Sequence, residues 1–240
     1  ELRVDKYRLD SLCYDNETNS FVIIEYKKGD SYSVIDQGYT YLQLLLNNKS
    51  DFVLSLSQHL NKVLDINKID WSQSRIIFVS QSFNSFQKDS VNFKNLPFEL
   101  WEIKRFSNNS IVFNKHKSTS NESIDSLTTS QNQTKIKSVN KEIIVYDEDY
   151  HTQKLDEKAL IKWNDLKGKL LKLENINLES QKSYVKFAGQ RKGICYCGFR
   201  KNKIVIDILR GNINTDGSQS KNYFNLDDPK KIAQEKLWEW

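Results

Sequence analysis

Asp10, Glu25 and Lys27 are the residues whose types and spacing point most directly to chemistry. In RLDSLCYDNETNSFVIIEYKKG (residues 8–29) an aspartate precedes a Glu-Tyr-Lys tripeptide by fifteen residues. Read as two strands joined by the turn-forming stretch at 16–18, alternation places Glu25 and Lys27 on one side of their strand. A hairpin between the strands then brings Asp10 beside them. Two carboxylates offer hard oxygen ligands for Mg²⁺, and the backbone carbonyl of Tyr26 offers a third. An ion held there would acidify water and offset charge on a phosphate, with Lys27 orienting the water or stabilising that charge. Such a cluster would suit hydrolysis of a phosphodiester.

Taken alone, Glu-x-Lys on a strand is more often a solvated face or a cross-strand ion pair. The surroundings of this one argue otherwise. Glu25 follows four apolar residues, Phe21 to Ile24, where an unpaired charge costs several kcal/mol, roughly 2–7 or more. The following segment, SVIDQGYTYLQLLLN (33–47), has helical apolar spacing, and Gln37 and Tyr41 share one of its faces. That face can look back at the strand ends, where an amide and a phenol would hold a base or a phosphate. The plainer alternative makes Tyr41 core and Gln37 rim.

Arg8-Leu9-Asp10, Glu25-Tyr26-Lys27 and Gln37-x-x-x-Tyr41 together resemble the PD-(D/E)XK nuclease superfamily, in its RecB-like variant with a glutamine-tyrosine helix. The resemblance covers about residues 3–113. It implies an α/β fold, restriction-endonuclease-like, with a mixed central sheet flanked by helices, and Mg²⁺-dependent cleavage of DNA, with Mn²⁺ able to substitute. It also implies Asp10 and Glu25 as metal ligands, Lys27 as the catalytic lysine, and Gln37 and Tyr41 as accessory residues. VNFKNLPFELWEIKRF (91–106) resembles the stretch that follows the nuclease core in one bacterial group. From about Tyr146 onward, with FNLDDPKKIA (224–233), the chain is similar to the DUF5655 domain, which often accompanies such nucleases. Many superfamily members add an acidic residue from a helix before the first strand. The chain has no methionine and ends abruptly at KLWEW, so the expectation is a fragment whose N-terminal helix is missing and whose second domain is truncated.

The elements needed to position this cluster are legible. Strands are expected at 8–14, 21–27, 52–56 and 75–80, helices at 33–47 and 83–90, and a hairpin from 100–106 and 110–115 about Ser107-Asn108-Asn109. Residues 114–142, rich in Ser, Thr, Asn and Lys, read as a flexible linker. A small α+β domain with an antiparallel sheet follows over 143–240. It contains an amphipathic helix at 154–173, with Leu155, Leu166 and Leu170 on its apolar side, and strands at 183–189, 193–199 and 203–209. A last helix starts at Asp227-Asp228-Pro229.

Composition narrows the remaining choices. No apolar run approaches the roughly 18 residues needed to span a bilayer, and the first residues lack a secretory h-region. The expectation is a cytoplasmic protein without membrane contact; the nuclease resemblance implies DNA as a partner, with either a second copy or a restriction or phage-defence partner. Residues 1–113 hold 13 basic and 14 acidic side chains, and residues 114–240 hold 23 and 17. The basic excess therefore lies in the second half, where solvated lysines explain it as well as nucleic-acid contact does. Arg191-Lys192 and Arg200-Lys201 are the candidate phosphate contacts there. Cys195 and Cys197 read as buried residues on one face of a strand. The tryptophans Trp71, Trp101, Trp163, Trp238 and Trp240 read as packing anchors. His59, His116 and His151 form no metal or triad pattern.

Overall fold

A computed structural model of the chain describes residues 2–4, 6–28, 34–94, 96–118, 120, 133–189 and 193–208. It divides into two compact units, Glu1–Val145 and Tyr146–Trp240.

In the first unit, β1 (Leu2–Val4) and β2 (Tyr7–Leu9) form an antiparallel ribbon. β3 (Ser11–Asp15), β4 (Ser20–Tyr26), β5 (Arg75–Ser80), β6 (Phe98–Arg105) and β7 (Ile111–Lys115) form a mixed sheet in that spatial order. β4, β5 and β6 are mutually parallel, while β3 and β7 pair antiparallel at the edges. The helices are α1 (Val34–Asn47), α2 (Lys49–Leu60), α3 (Ser85–Ser90) and α4 (Gln133–Glu142).

Burial in β5 alternates: Ile76, Phe78 and Ser80 are buried, and Arg75, Ile77 and Val79 are half-buried. One face of the sheet therefore lies under helices. Phe21, Ile23, Ile76 and Phe78 meet Leu42, Leu45 and Phe52 there, all fully buried. Each such side chain contributes roughly 1.5–3 kcal/mol. Gly38 lets α1 approach closely, because a Cβ there would stand 2.6 Å from the Phe98 ring.

Residues 52–56 are not a strand: they lie inside α2, which buries Phe52 and Val53 and half-buries Leu56 one turn on. That spacing is helical, and the short apolar run FVLSL mimics a buried strand. α1 gives way to α2 at Asn48, and Asn61, in the left-handed region at φ 48°, ends α2. The expected linker 114–142 also contains a helix. α4 buries Val139, packs beside α1 and ends against Ile143, so the first unit runs to Val145. Residues 121–132 of that linker lie outside the described residues.

The second unit has α5 (Glu148–Thr152), α6 (Glu157–Leu170) and an antiparallel meander of β8 (Asn177–Ser180), β9 (Val185–Ala188), β10 (Gly193–Arg200) and β11 (Lys203–Ile208). It is the α+β unit with an antiparallel sheet that the sequence suggests. Asp156 caps α6 by accepting from the Ala159 N–H at 2.8 Å. Trp163 anchors the core against Phe187 and Phe199. Cys195 and Cys197 are buried on one face of β10, their sulfurs 3.7 Å apart. Arg191-Lys192, Trp238, Trp240 and the helix expected from Asp227 lie outside the described residues. No helix among the described residues is long and apolar enough to cross a membrane.

Candidate active site

The single strand expected at 8–14 is interrupted: the chain breaks between β2 and β3 at Asp10, and the break determines where that side chain goes. Ser11 pairs with Ile24 in the β3–β4 register, so Asp10 stands at the open end of the hairpin beside the last residues of β4. Asp10 Oδ2 accepts a hydrogen bond from the Tyr26 N–H at 3.0 Å. In an extended strand a residue's N–H and C=O leave the same edge, so the Tyr26 carbonyl is directed to the Asp10 side of β4.

Glu25 and Lys27 project from β4 to its helix-covered face. Glu25 is only 8% exposed. Lys27 Nζ lies 3.7 Å from Glu25 Oε1 and 5.6 Å from the centre of the Phe78 ring, which forms the floor beneath it. Gln37, on the first turn of α1, ties the cluster together. Its Nε2 donates to Glu25 Oε1 at 2.7 Å and to the Tyr41 hydroxyl at 3.0 Å, and its Oε1 accepts from Lys27. This fixes which end of the amide points where, since the reverse assignment would set donor against donor at Lys27. Tyr41 in turn donates to the Arg8 carbonyl at 3.3 Å and packs edge-on to Tyr7.

The electrostatics are those of a carboxylate short of compensation. Burial pushes the Glu25 carboxyl up, and the Asp10 charge adds to that; Lys27, the Gln37 amide and the nearby Asp10 N–H oppose it without cancelling it. Burial also pushes the Tyr41 hydroxyl up, helped by Glu25 and Asp10 and opposed by Gln37, so Tyr41 is a neutral donor at ordinary pH. Glu25 Oε2 is buried with no hydrogen-bond partner; Ser74 Oγ alone shares that condition among the described side chains. An unmatched carboxylate oxygen is far costlier than an unmatched hydroxyl. Two mutually repelling carboxylates, one with a buried unmatched oxygen, beside a backbone carbonyl, fit a hard divalent cation. Among the described residues no group of three or more His, Cys, Asp or Glu is placed to hold a metal. A Mg²⁺ here would therefore complete its shell with the Tyr26 carbonyl, water and a phosphate oxygen.

All five candidate side chains, together with the Tyr26 backbone, thus lie at the carboxyl end of β4. That is the usual location of ligand sites in open α/β sheets. Three features escape a reading of the sequence alone: the Phe78 floor, the Arg8 carbonyl, and a row of polar residues on the same sheet face. In that row Ser80 and Glu102 pair across β5 and β6. Glu102 Oε1 accepts from Lys88 at 2.9 Å and from the Phe83 N–H at 3.1 Å. Only the strand register would have revealed the row.

No family model and no solved structure matches the chain. A protein of Haemophilus influenzae, described only as uncharacterized, is 37% identical over 238 residues, covering 98% of this chain and 74% of that relative.

Proposed function

The chain belongs to the same family as that Haemophilus influenzae protein, and we propose that it is a metal-dependent nuclease that hydrolyses phosphodiester bonds of DNA. The observation that carries this reading is the buried, unmatched oxygen of Glu25 beside the Asp10 charge, with Lys27 held at the same strand end. The resemblance to PD-(D/E)XK nucleases, with its expected restriction-endonuclease-like fold, supports the same reading. A cytoplasmic setting, with a restriction or phage-defence role, would suit it.

A bound Mg²⁺, or Mn²⁺ in its place, would supply charge neutralisation at the phosphate and make water more acidic. Asp10 and Glu25 would hold it, with Asp10 anchored on the Tyr26 N–H and Glu25 on the Gln37 amide. Lys27, bonded to Gln37 and lying over the Phe78 ring, would direct its ammonium at the attacking water or at the phosphate oxygens as their charge grows. The water oxygen would bond to phosphorus as the water gives up a proton to bulk solvent, the phosphorus–sugar oxygen bond would break, and the leaving oxygen would take up a proton from solvent. Tyr41, neutral and tied to Arg8 and Gln37, would position that amide.

Supercoiled plasmid incubated with Mg²⁺ tests this. The wild-type protein should nick it, and Asp10→Ala and Lys27→Ala should each lower the rate at least about a hundred-fold, the scale of losing one preorganised charge-stabilising group. Binding of plasmid in a mobility-shift assay with no cleavage under any divalent ion would instead make the chain an inactive nuclease-fold binding module. Cleavage confined to a parallel single-stranded RNA substrate would make it a ribonuclease.

A further inference from the structure

Among the described residues β7 is an edge strand, and every residue in it is exposed. It is also apolar: Ile111 is 53% exposed, Val112 49% and Phe113 59%, with Phe106 at 49% across the turn. Edge strands are ordinarily blunted by short length, prolines, inward charges or bulges. β7 has only Lys115 at its end, and that ammonium is held by Glu99 at 3.1 Å.

The backbone register shows what such an edge can accept. The His116 N–H donates to the Leu100 carbonyl and the Phe106 N–H to the Ser110 carbonyl, both at 2.9 Å. Hydrogen-bonded pairs alternate along an antiparallel ladder, so Val112 and Asn114 turn their backbone groups toward β6. Ile111, Phe113 and Lys115 turn theirs outward.

We propose that this edge pairs with the same edge of a second copy of the chain, antiparallel and centred on Phe113. The sequence of β7 is self-complementary in that register. Phe113 faces its own counterpart, Ile111 faces Lys115 of the other copy, and each of these pairs has its outward backbone groups free to exchange both bonds. The two aromatic rings meet across the dyad. Like charges stay apart, since neither lysine faces the other. Moving the centre to Asn114 would set Phe113 against Lys115 and lose the ring pair, and moving it to Lys115 would set lysine against lysine. Sliding it toward Ile111 would run the pairing into the turn at Asn109, whose φ is 61°. The apolar character of the strand favours a protein partner over nucleic acid. The inference does not rest on the nuclease reading, and its test involves no cleavage.

Sedimentation equilibrium of the full chain should give twice the chain mass, falling to a single chain in Phe113→Asp while the circular dichroism of the fold is unchanged. A monomer at every concentration would overturn the proposal. Register is tested in a Cys13→Ser background. Val112 of one copy faces Asn114 of the other as a non-hydrogen-bonded pair, with Cα atoms about 4.5 Å apart, within disulfide range. A mixture of Val112→Cys and Asn114→Cys chains under mild oxidant should therefore yield a disulfide-linked dimer, at least ten-fold more than either variant alone. Equal cross-linking in the separate samples would refute this register.

Discussion

The pattern Glu-x-Lys occurs at the ends of two parallel strands of one sheet, as Glu25-Tyr26-Lys27 on β4 and Glu102-Ile103-Lys104 on β6. Both glutamates leave the same face, yet their surroundings drive them in opposite directions. Lys88 and the Phe83 N–H hold the Glu102 carboxyl below its ordinary range, as expected of an acid whose partners are all protein groups. Burial and the Asp10 charge hold the Glu25 carboxyl above its range, and one of its oxygens has no partner. The tripeptide alone therefore specifies no chemistry; what stands opposite the acid does. Buried polar groups of the second unit follow the Glu102 pattern. His151 bonds the Gln181 carbonyl at 2.7 Å, and Trp163 bonds Glu148 at 2.7 Å.

The largest effect that would sharpen this contrast is on catalysis. Asp10→Asn should abolish plasmid nicking, by about a hundred-fold or more, whereas Glu102→Gln should leave its rate within a few-fold. Comparable losses from both would erase the distinction. Next in size is the helix that carries Gln37. Gly38→Ala drives a methyl into the Phe98 ring and should destabilise the first unit by about 1–3 kcal/mol in denaturant titration. No change would mean that α1 has room to shift and that Gln37 is not held as described.

The smallest effect is in the pH dependence of thermal unfolding without divalent ions, and there the two glutamates should differ in sign. Glu25 has a raised value in the folded state, so wild type loses stability as pH climbs from the ordinary glutamate range through that raised value. Glu25→Gln should therefore be the more stable protein at neutral pH, an advantage that vanishes on acidification. Glu102 has a lowered value, so its contribution is full above the ordinary glutamate range and is lost as pH falls through the folded value. Glu102→Gln should be the less stable protein at neutral pH, and the gap should close in acid. Matching signs for the two variants would contradict the opposite shifts of the two carboxyls.

Much of this was open to reading from residues. FVIIEYK and RIIFVS are strongly β-branched, and the Gln37-x-x-x-Tyr41 spacing already aims two polar groups from one helix face. What stayed hidden depended on tertiary context. FVLSL has strand composition, but the turn at Asn48 and the α1–α2 packing make it helical. QTKIKSVNKE looks like linker because a helix needs few apolar contacts when one face, with Val139 at its centre, docks on a formed core. The orphaned oxygen of Glu25 and the satisfied carboxyl of Glu102 depend on backbone N–H groups and register, which no composition reveals.

Counting bound Mn²⁺ by electron paramagnetic resonance asks whether the end of β4 holds a cation. Wild-type protein should bind one ion per chain saturably, more tightly as pH rises, in competition with Mg²⁺. Asp10→Asn and Glu25→Gln should each weaken that binding at least ten-fold, and Glu102→Gln should not. Binding unchanged in Asp10→Asn and Glu25→Gln, or no saturable binding in wild type, would contradict the assignment of a metal centre to the end of β4.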